Sequence, residues 1–130
     1  AKRWANRMKG LYKADVAGAT LSFKFKGTRC AVYDIVGPDC GQVTVSLDGA
    51  PPKVMARFDS YCTYHRLSTF MIGTELEDKV HEVVISLDPG VPDKAKILAQ
   101  RDQKMDKPER FEGTAFYPGA LLLVGEIIKD

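Results

Sequence analysis

Long apolar runs are missing from this sequence. The longest, ALLLVGEII at 120–128, carries Gly125 and Glu126 and is of strand length, far short of the roughly 20 residues needed to span a bilayer. It predicts a core strand and no membrane span. Cysteine is scarce as well: Cys30, Cys40 and Cys62 are odd in number and widely spaced, which fits neither a disulfide framework nor a CxxC redox motif. One disulfide would suit an exported chain. Nor is there a surplus of one charge, since 19 basic side chains stand against 17 acidic ones for a net charge of +2. That balance gives no basis for nucleic acid or an anionic membrane surface as partner. Repeats and low-complexity tracts are absent. Ala1 opens the chain without the charged and apolar regions of a signal peptide, so we expect an excised piece of a longer protein.

What remains is an ordinary globular composition, with 45% hydrophobic and 28% charged residues in 130 positions. The length suits a single domain, 1–130, with a real core. Short apolar runs, each closed by Gly, Pro, Asp or Asn, set the rhythm. TLSFKFKG alternates Leu21, Phe23 and Phe25 with Ser22, Lys24 and Lys26, the period of a half-buried strand. RCAVYDIVG follows after Gly27, then QVTVSLDG; GPDCG between them is turn chemistry, and the spacing predicts a hairpin. KVMARF, RLSTFMIG and VHEVVISLD continue the pattern, with Val80, Val83, Ile85 and Leu87 apolar and LEDK as a bend. AKILAQRDQKMDKPERF reads as one short helix or as a long polar excursion. Many short strands rich in Val, Ile, Phe and Thr point to an all-β sandwich or barrel.

The densest chemistry lies in RFDSYCTYHRL, 57–67. A Cys62–His65 nucleophile and base, oriented by Asp59, would make a thiol-dependent hydrolase, but residues three apart on a strand point to opposite faces. Cys30, Cys40, Cys62 and His65 are zinc-ligand types at spacings that suit no compact zinc site, so no metal and no cofactor is expected. A carbohydrate face is the third reading. Sugars offer an apolar face and a polar rim, which Arg57, Asp59, Tyr61, Tyr64, His65 and Arg66 match with rings and hydrogen-bonding groups, joined by Trp4 and Tyr117 from the ends of the chain. Against these stands plain packing, with Phe58, Cys62 and Tyr64 inward and Tyr61 and the charges solvated. In the polar excursion, Lys94, Lys96, Arg101 and Lys104 are further candidates for an acidic sugar or a partner's carboxylates.

GATLSFKFKGTRCAVYDIVGPDCGQVTVSLDG, LEDKVHEVVISL and YPGALLLVGEI, together spanning roughly Gly18 to Ile128, resemble the jelly-roll β-sandwich domains attached to bacterial SGNH (GDSL-type) esterases. Lys79 departs from the pattern, standing where the bend would carry Gly. The resemblance implies an antiparallel, galactose-binding-like sandwich with at most one short helix. It implies a non-catalytic accessory domain of an esterase acting on acylated carbohydrate, which binds glycan or supports a catalytic SGNH domain in the same polypeptide. It implies a periplasmic or extracellular location. The alternative is a purely structural or protein-docking sandwich. The family's GDS-like serine block is absent, and Asp78-Lys79-Val80-His81 matches its D-x-x-H block only by coincidence, because His81 falls inside a predicted strand.

Overall fold

The computed structural model describes residues 18–128, so Trp4 lies outside the described residues. β1 (Thr20–Val36) is one strand of 17 residues where the sequence predicts two, separated by Gly27. Its first part pairs antiparallel with β5 (Lys79–Asp88), from Thr20↔Ser86 to Gly27↔Lys79, and its second part with β4 (Arg66–Gly73), from Cys30↔Gly73 to Val36↔Arg66. β6 (Tyr117–Ile128) pairs with both parts, from Lys24↔Ile128 to Ile35↔Tyr117. A strand has only two edges, so β6 fills one of them and β4 and β5 lie end to end along the other.

The changeover between β4 and β5 coincides with irregular register in β1, between Cys30 and Ala31 on one side and between Gly27 and Arg29 on the other. The connecting bend is tied to it, because the Leu76 amide donates to the Thr28 carbonyl at 2.9 Å. Gly27 and Gly125 face each other here, and a Cβ on Gly27 would stand 2.1 Å from the Val124 carbonyl oxygen. Gly125 also sits at φ +146°, where side chains are strained. Both glycines therefore allow a backbone approach that no other residue fits, and β1 bends instead of ending at Gly27.

The predicted hairpin between β1 and β2 (Gln42–Leu47) does not form. β2 pairs with β5 and with β3 (Lys53–Ala56), because β4 and β6 already occupy both edges of β1 where β2 would have joined. The six strands form one curled antiparallel sheet in the order β3-β2-β5-β1-β4, with β6 branching from β1. The curl brings β4 over β2: a Cβ on Gly73 would lie 3.2 Å from Leu47 Cδ2. The all-β expectation holds, with the layers of the sandwich drawn from one continuous sheet.

Inside the curl, Leu21, Phe23 and Phe25 of β1 meet Val43 and Val45 of β2, Val83, Ile85 and Leu87 of β5, Phe70 of β4 and Phe116. In β5 the inward positions begin at His81, which stacks 5.3 Å from Phe25, so the expected core residue Val80 points outward and is 50% exposed. The strand period of two decides this. A smaller core joins Val36, Phe58 and Cys62 to Leu98 and Phe111. Leu98 comes from α1 (Lys94–Ala99), a six-residue helix capped by Asp93, whose side chain accepts from the Lys96 amide at 3.2 Å. Phe111 comes from a 3-10 turn, Pro108–Phe111. The polar excursion is thus one short helix and a turn, packed on the 57–67 stretch through its few apolar residues.

Candidate functional site

The stretch 57–67 divides by depth. Arg57 is buried: its Nε and Nη2 donate to Asp34 Oδ2 and Oδ1 at 2.7 and 2.8 Å, and its guanidinium stacks 4.6 Å from the Phe70 centroid. Paired and hydrogen-bonded on this scale, the two charges satisfy each other inside the protein. Arg57 therefore offers no group to a surface ligand.

Cys62 is buried too. Its Sγ accepts from the Asp59 amide at 3.3 Å, donates to Asp59 Oδ1 at 3.4 Å and receives Arg66 Nη1 at 3.6 Å. Burial pushes the thiol above its ordinary pKa, the opposite of what a nucleophile requires. His65 turns away from it, its Nε2 donating to Asp39 Oδ1 at 2.7 Å. The Cys62–His65 pair is not assembled. Cys30 and Cys40 are also buried and free, with thiols pushed up to about 12 by burial, so no disulfide links the three cysteines. Among the described residues no cluster of His, Cys, Asp or Glu is arranged to hold a metal ion.

At the surface the remaining candidates come together in two groups. Asp59 accepts from the Tyr61 amide at 2.9 Å and from Arg66, an Asx-type turn closed by a salt bridge. Burial opposes ionisation of Asp59, but the bonds from Arg66 and the Tyr61 amide outweigh it and hold the carboxyl below its ordinary value. Tyr61, 48% exposed, carries the Arg66 guanidinium 5.4 Å and the Arg101 guanidinium 3.7 Å from its ring centroid. Arg101 comes from the polar excursion, so the two stretches singled out in the sequence meet at this ring. Tyr64, inward in the plain-packing reading, is 56% exposed, because residues 60–64 turn rather than run as a strand.

The second group is His65, Tyr117 and Asp39. Tyr117, at the start of β6, donates its hydroxyl to Asp39 Oδ2, and its ring meets the His65 ring edge-on at 6.0 Å. Burial opposes ionisation of Asp39, while the bonds from Tyr117 and His65 hold its carboxyl below the ordinary value. Gly37 makes room for the imidazole, since a Cβ there would stand 2.4 Å from His65 Cδ2. Sequence reasoning missed Asp39 and Asp34; they lie 26 and 23 residues from their partners and only the fold joins them.

Lys94, a surface candidate in the sequence, is buried, with Nζ donating to the carbonyls of Pro38, Phe111 and Gly113 at 2.9, 2.9 and 2.8 Å. Desolvation lowers its pKa, and the ring of Phe58 lies 5.1 Å away. Its three donors clamp the loops beneath the site, which is a structural task. His81 is likewise structural, held between Asp48 and the Glu77 carbonyl at 2.6 and 2.7 Å. His81 of the D-x-x-H string lies within β5, the strand position expected for it. A separate cavity of about 250 Å³ is lined by Val45, Leu47, Lys53, Met55, Met71 and Ile72 among others, with no aromatic ring for a sugar. No described helix is long and apolar enough to cross a membrane.

No protein-family model matches the chain, and no curated protein matches it in sequence. Solved structures do. A two-domain esterase active on acetylated mannans, crystallised with mannopentaose, matches with TM-score 0.61 and 15% identity over 91% of this chain and 28% of its own. A family two carbohydrate esterase from Cellvibrio japonicus matches with TM-score 0.60 and 13% identity, again over 91% and 28%. One from Clostridium thermocellum, in complex with cellohexaose, matches with TM-score 0.54 and 15% identity over 90% and 28%. At these identities the likeness is one of fold. The chain spans less than a third of the length of the esterases it matches, and it has the all-β fold of one part of those enzymes, as the resemblance in its sequence implies.

Proposed function

We propose that this chain is a non-catalytic accessory domain of a larger, exported carbohydrate esterase, with the hydrolytic chemistry on another domain of the same polypeptide. The observation that carries the reading is the coverage: nine-tenths of this chain aligns, yet only 28% of the two-domain mannan esterase is accounted for. The side chains agree with it. The buried Cys62 thiol is held protonated, and both histidines are engaged by carboxylates. A periplasmic or extracellular location follows from the substrate class, because acylated polysaccharides are too large to be processed inside the cell.

Within this role, the edge formed by Tyr61, Tyr64, His65 and Arg66 contacts glycan. Two half-exposed tyrosines supply stacking surface, and Arg66 and Asp59 supply a fixed polar rim beside them. Titration of the 130-residue chain with mannopentaose and with cellohexaose, followed by NMR, tests this reading. Shifts clustered on Tyr61, Tyr64 and His65 are expected. No shift with either sugar at millimolar concentration would leave the domain as a support for its catalytic neighbour.

A further inference from the structure

The outer side of the sheet formed by β4, β1 and β6 is largely apolar. Directly paired residues share a face, so the register places Leu67, Ile35 and Tyr117 side by side, then Thr69, Tyr33 and Ala120, then Met71, Ala31 and Leu122, with Val124 beside Arg29 at the end. No charged side chain stands in the first three rows. Leu67 is 67% exposed, Val124 56%, Leu122 45% and Met71 37%. The inward residues of the same strands, Val32, Phe70, Leu121 and Leu123, already line the core. Apart from the buried Asp34, these three strands are therefore largely apolar on both faces, a pattern that belongs to sheets covered on both sides. The spacing of strands and rows gives this face an area on the order of 300–400 Å². That is the usual size of the largest apolar patch on a soluble domain, and such patches are often functional.

We infer that this face docks the second domain of the same polypeptide, an inference that rests on the accessory-domain reading. Area decides the occupant. A stable complex between free proteins buries about 800 Å² on each partner, roughly twice what this face offers, so a second copy of the chain is poorly served. Two domains joined covalently need less, because tethering raises their effective concentration, and inter-domain interfaces begin near 600 Å² in total. The partner face must be apolar and poor in charge, since a charge placed against Leu67, Met71 or Leu122 would lose its water without gaining a partner. Tyr117 lies in the first row and is bonded to Asp39, which in turn holds His65, so docking would set the partner against one rim of the glycan-contacting edge.

The test is side-chain footprinting of the natural full-length polypeptide against the 130-residue chain. Leu67, Met71 and Leu122 should lose their labelling in the full-length protein, down to the level of buried Phe70, while Val54 and Val80 keep theirs. A Leu67→Glu, Leu122→Glu double variant should restore labelling at Met71 and split one thermal transition into two. Unchanged labelling of Met71 in a full-length protein with esterase activity would overturn the docking and leave the accessory role standing. Protection that depends on protein concentration would also overturn it, in favour of a dimer. A full-length protein without a hydrolase domain would instead remove the reading on which the inference rests.

Discussion

On the outside of the sheet the two halves of β1 meet very different neighbours. Thr20, Ser22, Lys24 and Lys26 pair with Ser86, Val84, Glu82 and Val80 of β5, whereas Ala31, Tyr33 and Ile35 pair with Met71, Thr69 and Leu67 of β4. Inside, the contrast is reversed. Beneath the first half lie Leu21, Phe23 and Phe25, and beneath the second lies the ion pair of Asp34 with Arg57, next to Val32 and Phe70. The first half is an ordinary solvated strand over an apolar core. The second keeps a charge inside and apolar side chains outside, the reverse of a solvated strand over an apolar core.

Three substitution experiments would break or sharpen that contrast. The largest effect belongs to the buried charge: Arg57→Ala leaves Asp34 unpaired in the interior and should cost about 3–5 kcal/mol in urea unfolding. The exposed pair of Lys26 with Asp78 over the first half, at 3.1 Å, should cost no more than about 1 kcal/mol when Lys26 becomes Ala. Equal losses for the two would show that the interior under the second half is reached by water.

A pH effect of intermediate size belongs to the first half. Both ring nitrogens of His81 face acceptors, Asp48 and the Glu77 carbonyl, so the doubly protonated ring satisfies the site. The bond to Asp48 raises the His81 pKa above its ordinary 6.5. Stability from this group is therefore complete below 6.5 and is lost as pH rises through the folded value. Asp48 has the opposite sign. Burial opposes its ionisation, but the bonds from His81 and the Glu82 amide together outweigh this and lower its pKa, so its share is present above the ordinary 3.8 and is lost as pH falls through the folded value. Thermal midpoints measured from acid to alkaline conditions should decline above neutrality, and His81→Gln should flatten that decline. A flat wild-type curve would mean that folding leaves the His81 pKa unchanged.

The smallest effect is expected on the apolar outer face. Leu67→Thr and Leu122→Thr in the 130-residue chain should change unfolding free energy by no more than about 0.5 kcal/mol, because neither side chain has a core to leave. Phe23→Ala, facing the other way from the first half, should cost about 3–5 kcal/mol. A large loss at Leu67 would indicate that the outer face is already covered within the chain itself.

Much of this architecture was legible in the residues. Alternation in TLSFKFKG and QVTVSLDG located half-buried strands, and Leu21, Phe23, Val43 and Val45 are in the core as that period requires. LEDK was read as the bend that separates β4 from β5. ALLLVGEII was read as a core strand, and it is a strand whose alternate residues Leu122 and Val124 are exposed. Pairing was not legible. GPDCG has the composition of a hairpin turn, but which strand lies beside β1 depends on what already occupies its edges. In residues 57–67 the partners were not legible for a related reason: the contacts that orient Cys62 and His65 come from Asp59, Arg66 and Asp39 after folding.

By itself the sequence determined the class of the fold and the strand content, because hydrophobic period and turn chemistry are local properties of a few adjacent residues. It also ruled out a membrane-spanning run and a compact zinc motif, since both need a local pattern that is missing. Only the tertiary structure decided that Arg57 and Lys94 are buried, that Tyr61 meets Arg101 across 40 positions, and that His65, Asp39 and Tyr117 form one cluster. Those depend on the bend of β1 at Gly27 and on the curl of the sheet, which bring distant parts of the chain together and choose which charges are paired and which apolar side chains are exposed.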